Sequence, residues 1–394
     1  MNVKSTAINA ALLAVTVALA LILSEAGARL ILRPSDYLSV EMVDDEVFGA
    51  KPSPGTKAGG LDEWGFRNRA VPNHAEIVAI GDSQTYGNAA TMGDAWPAVL
   101  ERESGRSVYN MGLGGYGPNQ YLQLLKDRAL SLKPRIVVLG FSMNDDFENA
   151  FLITYGLDYW KSLRVLAPDK VDYDIWPKAT STSWHKSIRL WLSRHSVVYQ
   201  IVVHGPVLFG RFQGETQIAR ASALYDGTTL AIPERHILEA FRPQEVLRRL
   251  DQQSPDIREG MRIAFKLLED MNKICVDRHI QFVVAVIPTK EMVFSDYFES
   301  HRDIPLSDVL QKLVANERVA REKMFDFLRA SNIAYVDLLP PLKNGVEKEL
   351  YSRTATDMHP NKNGYRIYAE TVYEALKRND ATRTILESAA APEQ

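Results

Sequence analysis

Residues 75–87 read AEIVAIGDSQTYG, and this stretch decides the fold. It opens with an apolar run of strand length, which Glu76 alone interrupts, and Gly81-Asp82-Ser83 follows directly. A helical pattern then runs from about Ala95 to Glu103, so the stretch predicts a strand, a turn and a helix. The serine would lie at the carboxyl end of a buried strand, which is where open α/β sheets bind ligands.

The same alternation of strand and helix recurs along the chain. Continuous apolar runs of this kind are typical of parallel strands that are buried on both faces. They predict an α/β protein, a three-layer α/β/α sandwich with five parallel strands, over residues 75–380. The further strands are SVYNMGL (107–113), PRIVVLGF (134–141), Gln281–Pro288 and IAYVDLL (333–339), and the further helices are QYLQLLKDRALSL (120–132), Met261–Arg278, Val309–Ala330 and Tyr365–Lys377.

Three segments fall outside this alternation. Residues 146–259 are rich in tyrosine and tryptophan and predict a mainly helical insertion. Residues 34–74 contain several prolines and glycines with little periodicity, which indicates a linker and entry loop. Residues 381–394 are expected to form a C-terminal tail.

The N-terminus is strongly apolar. Residues 7–23 read AINAALLAVTVALALIL, without a charge, and with their flanks they approach the length that spans a bilayer. Residues 1–33 are therefore a signal anchor, or a signal peptide that is cleaved after Ala26-Gly27-Ala28. We favour the anchor because apolar sequence resumes at Leu30. The expected location is the membrane, with the catalytic domain extracytoplasmic and periplasmic, or secreted if the segment is cleaved.

Composition excludes several classes of protein. The formal net charge is -3, which lacks the basic excess of nucleic-acid binding proteins. The single cysteine, Cys275, excludes an intrachain disulfide and a multi-cysteine metal site. The eight histidines show no spacing typical of metal ligands, so we expect no metal and no cofactor.

Four polar or glycine-rich segments follow the predicted strands. Each alone is compatible with a simple turn or helix cap. Together they would meet at one edge of the sheet and supply a nucleophile, N–H donors for an oxyanion, and a base with its carboxylate. They are Gly81–Gly87, NMGLGGYG (110–117), Ser142–Asp145 and Asp357–Asn361.

In these four segments the chain resembles the SGNH (GDSL-like) hydrolase family, over roughly residues 75–147 and 260–377. The resemblance implies a flavodoxin-like fold with Ser83 as nucleophile, His359 as base and Asp357 as the partner of His359. It also implies an oxyanion hole formed by the N–H groups of Ser83 and Gly115 and the side chain of Asn144. Gly112 and Gly114 are alternatives to Gly115, and Asp82 would brace the turn.

The chain departs from the family pattern at two places. Ser142 replaces the usual glycine of the third segment, and the fourth reads D-x-H instead of D-x-x-H. The D-x-H spacing and the segment Ile287–Glu291 are similar to alginate O-acetyltransferase-type members. Lys290 and Glu291 are equally compatible with a solvated loop pair.

The predicted activity is that of a serine esterase acting on an acylated, O-acetylated glycan of the envelope or exterior. An O-acyltransferase that modifies a polysaccharide uses the same triad and is the first alternative. A non-catalytic polysaccharide-binding protein is the second, and a lipid ester is the rival substrate. The expected partners are the ester substrate and the inner membrane, reached through the N-terminal helix.

Overall fold

The computed structural model describes residues 3–53, 61–166, 184–208, 228–232, 237–300, 307–351 and 358–388. It begins with helix α1, Val3–Ile31, whose large apolar side chains are exposed along most of its length. Residues Ile8–Ile31 of this helix are long and apolar enough to cross a membrane, with a mean hydropathy of 2.1. A signal sequence has the same properties, so length and composition leave both interpretations open.

The predicted linker contains regular structure. Strands β1, Met42–Asp45, and β2, Gly49–Pro52, form an antiparallel hairpin. The hairpin packs on the domain that follows, because Ala50 O accepts a hydrogen bond of 2.9 Å from the Tyr116 hydroxyl. Residues 34–53 are thus partly docked on the domain, which periodicity did not predict.

The predicted five-stranded parallel sheet is confirmed. Its strands lie in the order β4-β3-β5-β8-β9, all parallel. In this order the first strand of the sheet lies between the second and the third, which is the flavodoxin-like arrangement with its ligand crevice at the point of reversal. The strands are β3 Ile77–Gly81, β4 Val108–Gly112, β5 Ile136–Ser142, β8 Gln281–Ile287 and β9 Ala334–Asp337.

Helices cover both faces of the sheet, and alternate residues of each strand enter two separate cores. In β3, Val78 and Ile80 face one core while Ile77 and Ala79 face the other. The helices are α2 Ser83–Tyr86, α3 Trp96–Ser104, α4 Pro118–Asp127, α5 Asp146–Gly156, α9 Pro255–Val276, α10 Lys290–Val293, α11 Ser295–Ser300, α12 Ser307–Ala330, α13 Leu339–Asn344, α14 Lys362–Arg378 and α15 Asp380–Glu387. Helices α4, α5 and α9 line the first core, and α3 and α14 line the second.

The insertion between β5 and β8 is mainly helical where it is described, and it also contains one β-hairpin. Its elements after α5 are α6 Trp184–His195, α7 Val197–Leu208, β6 Thr228–Ile232, β7 Ile237–Phe241 and α8 Pro243–Arg249. Strands β6 and β7 pair antiparallel. The aromatic composition of the insertion did not predict this hairpin.

The structure also differs from expectation at the C-terminus. Residues Asp380–Glu387 form α15, which Asn379 caps by accepting hydrogen bonds from Ala381 N and Thr382 N. Ile385 is buried in the second core. Most of the predicted C-terminal tail that is described is therefore packed helix.

Candidate active site

Three glycines in register create the place where the candidate nucleophile lies. Gly81 of β3 pairs with Gly112 on one side and Gly140 on the other. A Cβ atom at any of the three would come within 3 Å of the Thr85 side chain. Helix α2, which contains both Thr85 and Ser83, therefore approaches the sheet edge closely only because these side chains are absent.

Ser83 is the first residue of α2, directly after β3. Asp82 caps the helix, and its carboxyl oxygen accepts a hydrogen bond of 2.8 Å from Gln84 N. The cap leaves the Ser83 hydroxyl at the carboxyl edge of the sheet. The bracing role expected of Asp82 agrees with this contact.

The structure brings His359 onto Ser83. The distance from His359 Nε2 to Ser83 Oγ is 2.7 Å, across 276 residues of sequence. Asn361 holds the histidine loop, because its side chain donates to Glu349 O and Tyr351 O while accepting from Asn363 N at the start of α14. A base in hydrogen-bond contact with a serine hydroxyl is the arrangement that nucleophilic acyl transfer requires.

Asp357 lies outside the described residues, so its contact with His359 stays a prediction. Asp337, at the end of β9, is another carboxylate that could have orientated the ring. Its carboxylate pairs with Arg321 and accepts a hydrogen bond of 2.8 Å from Leu339 N. Because these contacts occupy the Asp337 carboxylate at the end of its own strand, they argue against Asp337 as a member of the triad.

The glycine-rich loop after β4 offers candidate oxyanion donors. Gly112 N donates to Asn110 Oδ1 at 2.9 Å, so this N–H group is engaged. In the described part of the chain, the N–H groups of Ser83, Gly114 and Gly115 have no backbone or side-chain acceptor. A Cβ atom at Gly114 would lie 3.5 Å from Ser83 Cβ, and Gly115 has a φ of 76°. The geometry thus favours Gly114 and Gly115 over Gly112 as donors.

Asn144 and Ser142 follow the neighbouring strand, β5. Asn144 lines the same cleft as Ser83, and its side chain forms no hydrogen bond with any described residue. Its amide N–H groups are therefore available to a ligand. Ser142 N donates to the Asp146 carboxylate at 2.8 Å, which closes the turn where the family pattern has glycine.

A cluster of buried carboxyl groups lies beneath the site, and the sequence did not predict it. Burial, together with the nearby Asp145 carboxylate, raises the pKa of Asp82 to about 8. Burial also raises the pKa of Asp146 well above its usual value, and Tyr121 donates a hydrogen bond of 2.8 Å to this carboxyl group. The raised pKa favours the neutral form of Asp82, which carries no negative charge beside His359.

The cleft around Ser83 has a volume of about 200 Å³. Among the described residues that line it, all except Met358 are polar or charged: Asp82, Ser83, Gln84, Asn144, Asp145, Arg242, Glu245, Arg249 and His359. Arg242, Glu245 and Arg249 come from the insertion, at and within α8. The sequence PQEVLRR (243–249) is typical of a charged helix, but only the tertiary structure shows that this helix lines the cleft of Ser83.

Lys290 and Glu291 are buried, with exposed fractions of 3% and 0%, so the interpretation as a solvated loop pair is wrong. Glu291 accepts a hydrogen bond of 3.1 Å from Arg242 N. The Lys290 ammonium lies 5.1 Å from the centroid of the Phe241 ring. Both residues therefore support the point where the insertion returns to the cleft.

The part of the chain that contains Ser83 matches the model of a known protein family. Residues 79–258 match the model of the GDSL-like lipase/acylhydrolase family. Over these residues the chain is similar to that family. The match begins in β3 just before Ser83 and runs through the insertion that supplies α8. A GDSL-like lipase/acylhydrolase is a hydrolase that acts on ester bonds, as the sequence predicted.

Solved structures similar to the chain include other GDSL-like proteins. One is a G-D-S-L family protein from Desulfitobacterium hafniense, with 14% identity, a TM-score of 0.36 and coverage of 77% of this chain and 99% of that one. Another is an acetylxylan esterase from Geobacillus stearothermophilus, with 11% identity, a TM-score of 0.35 and coverage of 77% and 95%. A lipase/acylhydrolase from Enterococcus faecalis has 13% identity, a TM-score of 0.34 and the same coverages. Comparison with curated proteins gave no match, and the similarity to alginate O-acetyltransferase-type proteins stays a prediction.

Proposed function

We propose that the protein is a serine esterase that removes short acyl groups, above all acetyl groups, from an envelope or extracellular glycan. The observation that carries this proposal is the contact of 2.7 Å between His359 Nε2 and Ser83 Oγ at the edge of the sheet. The family match supports the ester-cleaving chemistry. The glycan and the triad as a whole are our inference.

The reaction follows from the positions of the side chains. Ser83 Oγ attacks the ester carbonyl carbon while His359 Nε2 takes the hydroxyl proton, which gives a tetrahedral intermediate. Its oxyanion is stabilised by N–H donors from Ser83, from Gly115 or Gly114, and from Asn144. The intermediate collapses to a Ser83 acyl ester as His359 passes the proton to the leaving alcohol. Water then attacks the ester by the same steps, and Asp357 would hold the imidazole in its productive orientation.

The cleft supports a short acyl group on a polar alcohol. Its volume of about 200 Å³ lies below the roughly 300–1,000 Å³ of pockets that hold drug-sized ligands. Its lining is polar on nearly every side, which suits sugar hydroxyls better than an alkyl chain. A long-chain lipid ester would leave these charged groups against hydrocarbon.

The location we propose is a membrane anchor in α1 with the catalytic domain on the extracytoplasmic side. The exposed apolar surface of α1 supports membrane insertion. A C-terminal reporter enzyme that is active only after export tests the orientation. A full-length fusion that is expressed but has no reporter activity would contradict it.

The activity is tested by incubating the purified protein with acetyl and long-chain esters of one chromogenic alcohol, and with acetylated oligosaccharides. We expect acetyl esters to be cleaved fastest, with release of free acetate. The matched variants are Ser83→Ala, which should be inactive, and Ser104→Ala, whose hydroxyl bonds to Leu100 O on a surface helix and should not matter. Activity in Ser83→Ala would refute the nucleophile, and preferential cleavage of long-chain esters would refute the substrate class.

The same assay separates the hydrolase from its alternatives. With an added unacetylated oligosaccharide, an O-acyltransferase would move the acetyl group to the sugar instead of releasing acetate. A non-catalytic binding protein would leave every ester intact while retaining the glycan.

A further inference from the structure

We propose that α6 and α7 of the insertion form a second membrane-contacting element, which Glu25 of α1 fixes beside the anchor. The proposal rests on the membrane insertion of α1 proposed above. The name "insertion hairpin" is used here for residues 184–208, which comprise these two helices.

The insertion hairpin is attached to α1 by an acidic side chain within the apolar helix. Glu25 accepts hydrogen bonds from Val197 N at 3.0 Å and Val198 N at 3.1 Å, the first N–H groups of α7. It also accepts a hydrogen bond of 2.9 Å from the Ser196 hydroxyl. These N–H groups have no acceptor within their own helix, so Glu25 caps α7 from outside.

The end of α6 is held at the same point of α1. Arg29 pairs with Glu25 at 2.7 Å and also donates a hydrogen bond of 2.7 Å to His195 O. A cation at a helix C-terminus is favourable for the helix dipole. Glu25 and Arg29 thus both form hydrogen bonds with the turn between α6 and α7. These bonds explain why two charged residues lie within the otherwise apolar segment.

The segment after α1 holds α6 in place as well. Ser39 N donates to Ser193 O at 3.1 Å, and Arg194 pairs with Glu41 at 3.2 Å. The insertion hairpin is therefore fixed to the chain on both sides of the point where α1 ends. An element attached at the end of a spanning helix lies at the surface of the bilayer that this helix crosses.

The insertion hairpin leaves several large apolar side chains exposed, beside the exposed Ser187 and Arg189. In α7, Val202 and Val203 have exposed fractions of 70% and 42%. In α6, the exposed side chains include Ile188, Leu190 and Trp191. Clustered apolar exposure marks a contact surface, and tryptophan is enriched where proteins meet the membrane interface. The occupant that fits this surface is the bilayer, because α7 packs against α1, whose own large apolar side chains are exposed.

The insertion that would lie on the membrane also forms a wall of the catalytic cleft. After the insertion hairpin the same insertion returns through β7 to α8, whose Glu245 and Arg249 line the cleft. Contact with the bilayer would therefore limit the orientation of the cleft relative to the membrane. The substrates reached most readily are glycans held close to the membrane surface.

The experiment attaches a fluorophore to single cysteines of the full chain and reconstitutes the protein in vesicles whose acyl chains carry a nitroxide quencher. The test position is Val202→Cys, the anchor position is Val17→Cys, and the control is Val319→Cys on α12, an exposed valine of the catalytic domain. The native Cys275 is buried, and burial raises the pKa of its thiol to about 12, so it should not react. Ester hydrolysis by each labelled protein checks that it is folded.

We expect the quencher to lower fluorescence at positions 202 and 17 and to leave position 319 unchanged. Loss at 17 without loss at 202 would overturn the insertion hairpin as a membrane element while the anchor stands. No loss at 17 or 202 would overturn both proposals. Loss at 202 alone would overturn the anchor, and with it the placement of the insertion hairpin beside a spanning helix.

A second variant tests the role of Glu25. Glu25→Ala removes the acceptor of the α7 N–H groups and should reduce quenching at position 202 while quenching at position 17 is kept. If quenching at 202 stays unchanged in Glu25→Ala, Glu25 does not position the insertion hairpin.

Discussion

Replacing Gly112 with alanine should displace the helix that carries Ser83. The added Cβ would lie 2.2 Å from Tyr86 N and 2.5 Å from Thr85 C, both backbone atoms of α2. Backbone atoms cannot rotate away as a flexible side chain does. An ordinary contact begins at 3.4 Å, so α2 or β4 must move by about 1.2 Å.

The size of this shift gives the expected effect. Overpacking of this kind costs about 1–3 kcal/mol of stability, which leaves a folded protein when total stability is about 5–15 kcal/mol. The contact of 2.7 Å between Ser83 and His359 is lost if α2 moves by that amount. A misplacement of about 1 Å lowers catalysis on the order of 10²-fold, so turnover should fall much more than stability.

The assay compares thermal melting and turnover of an acetyl ester with those of Gly114→Ala. A Cβ atom at Gly114 would lie 3.5 Å from Ser83 Cβ, which is an ordinary contact, so this variant should melt like the wild type. Wild-type turnover and melting in Gly112→Ala would show that the close approach of β4 to α2 does not position the nucleophile. Equal loss of stability in both variants would show that the loop, and not the contact with α2, is sensitive.

The remaining predictions concern single polar side chains of the site. Ser83→Ala should abolish ester hydrolysis and keep the wild-type melting transition, and near-normal turnover in a folded variant would exclude it as nucleophile. Asn144→Ala should lower kcat by about 10² to 10³ and change KM little, as for the loss of one oxyanion donor, whereas an effect on KM alone would make it a binding residue. Burial raises the pKa of Asp82 from 3.8 to about 8, so the native protein holds a proton that the unfolded chain has lost, and stability falls as the pH rises between these values. Asp82→Asn keeps a capping oxygen without the charge. At about 1.4 kcal/mol per pKa unit, the stability of this variant relative to the wild type should rise by a few kcal/mol from pH 5 to pH 9. A stability difference that is the same at both pH values would refute this. Asp357→Asn should lower kcat by a large factor through the wrong tautomer of His359, and an unchanged rate would show that another group orients the ring.

The sheet was predictable because its signal is local. The runs of β3, β5 and β8 are apolar on both faces, which is the composition of a strand buried between two layers of helices. The position of Ser83 was predictable for the same reason, since a strand that ends in Gly81-Asp82 must place the next residue at the sheet edge. The signal for the start of α9 is local too, because Ser254 is the N-cap and Pro255 lies in the first turn. The predicted helix nevertheless began only at Met261.

The contacts that complete the site were not predictable, because they join distant parts of the chain. The pairing of Tyr121 with Asp146 and the elevated pKa of Asp82 depend on burial, which no local pattern states. The sequence alone does not show whether the N–H group of Gly112 or that of Gly115 is available to an oxyanion. Only the contact between Gly112 N and Asn110 Oδ1 separates them, by removing Gly112 from the available donors.

The buried Glu291 links the sheet to the part of the cleft that the insertion forms. It lies in α10, four residues after the end of β8, and its carboxylate accepts a hydrogen bond from Arg242 N where α8 begins. Burial raises the pKa of Glu291, and the nearby Lys290 ammonium opposes this shift. Burying this carboxylate costs free energy. We explain its burial by its hydrogen bond to Arg242 N, which fixes the start of α8. The residues that choose the substrate can then vary along α8 without disturbing Ser83 and His359, which the sheet holds independently.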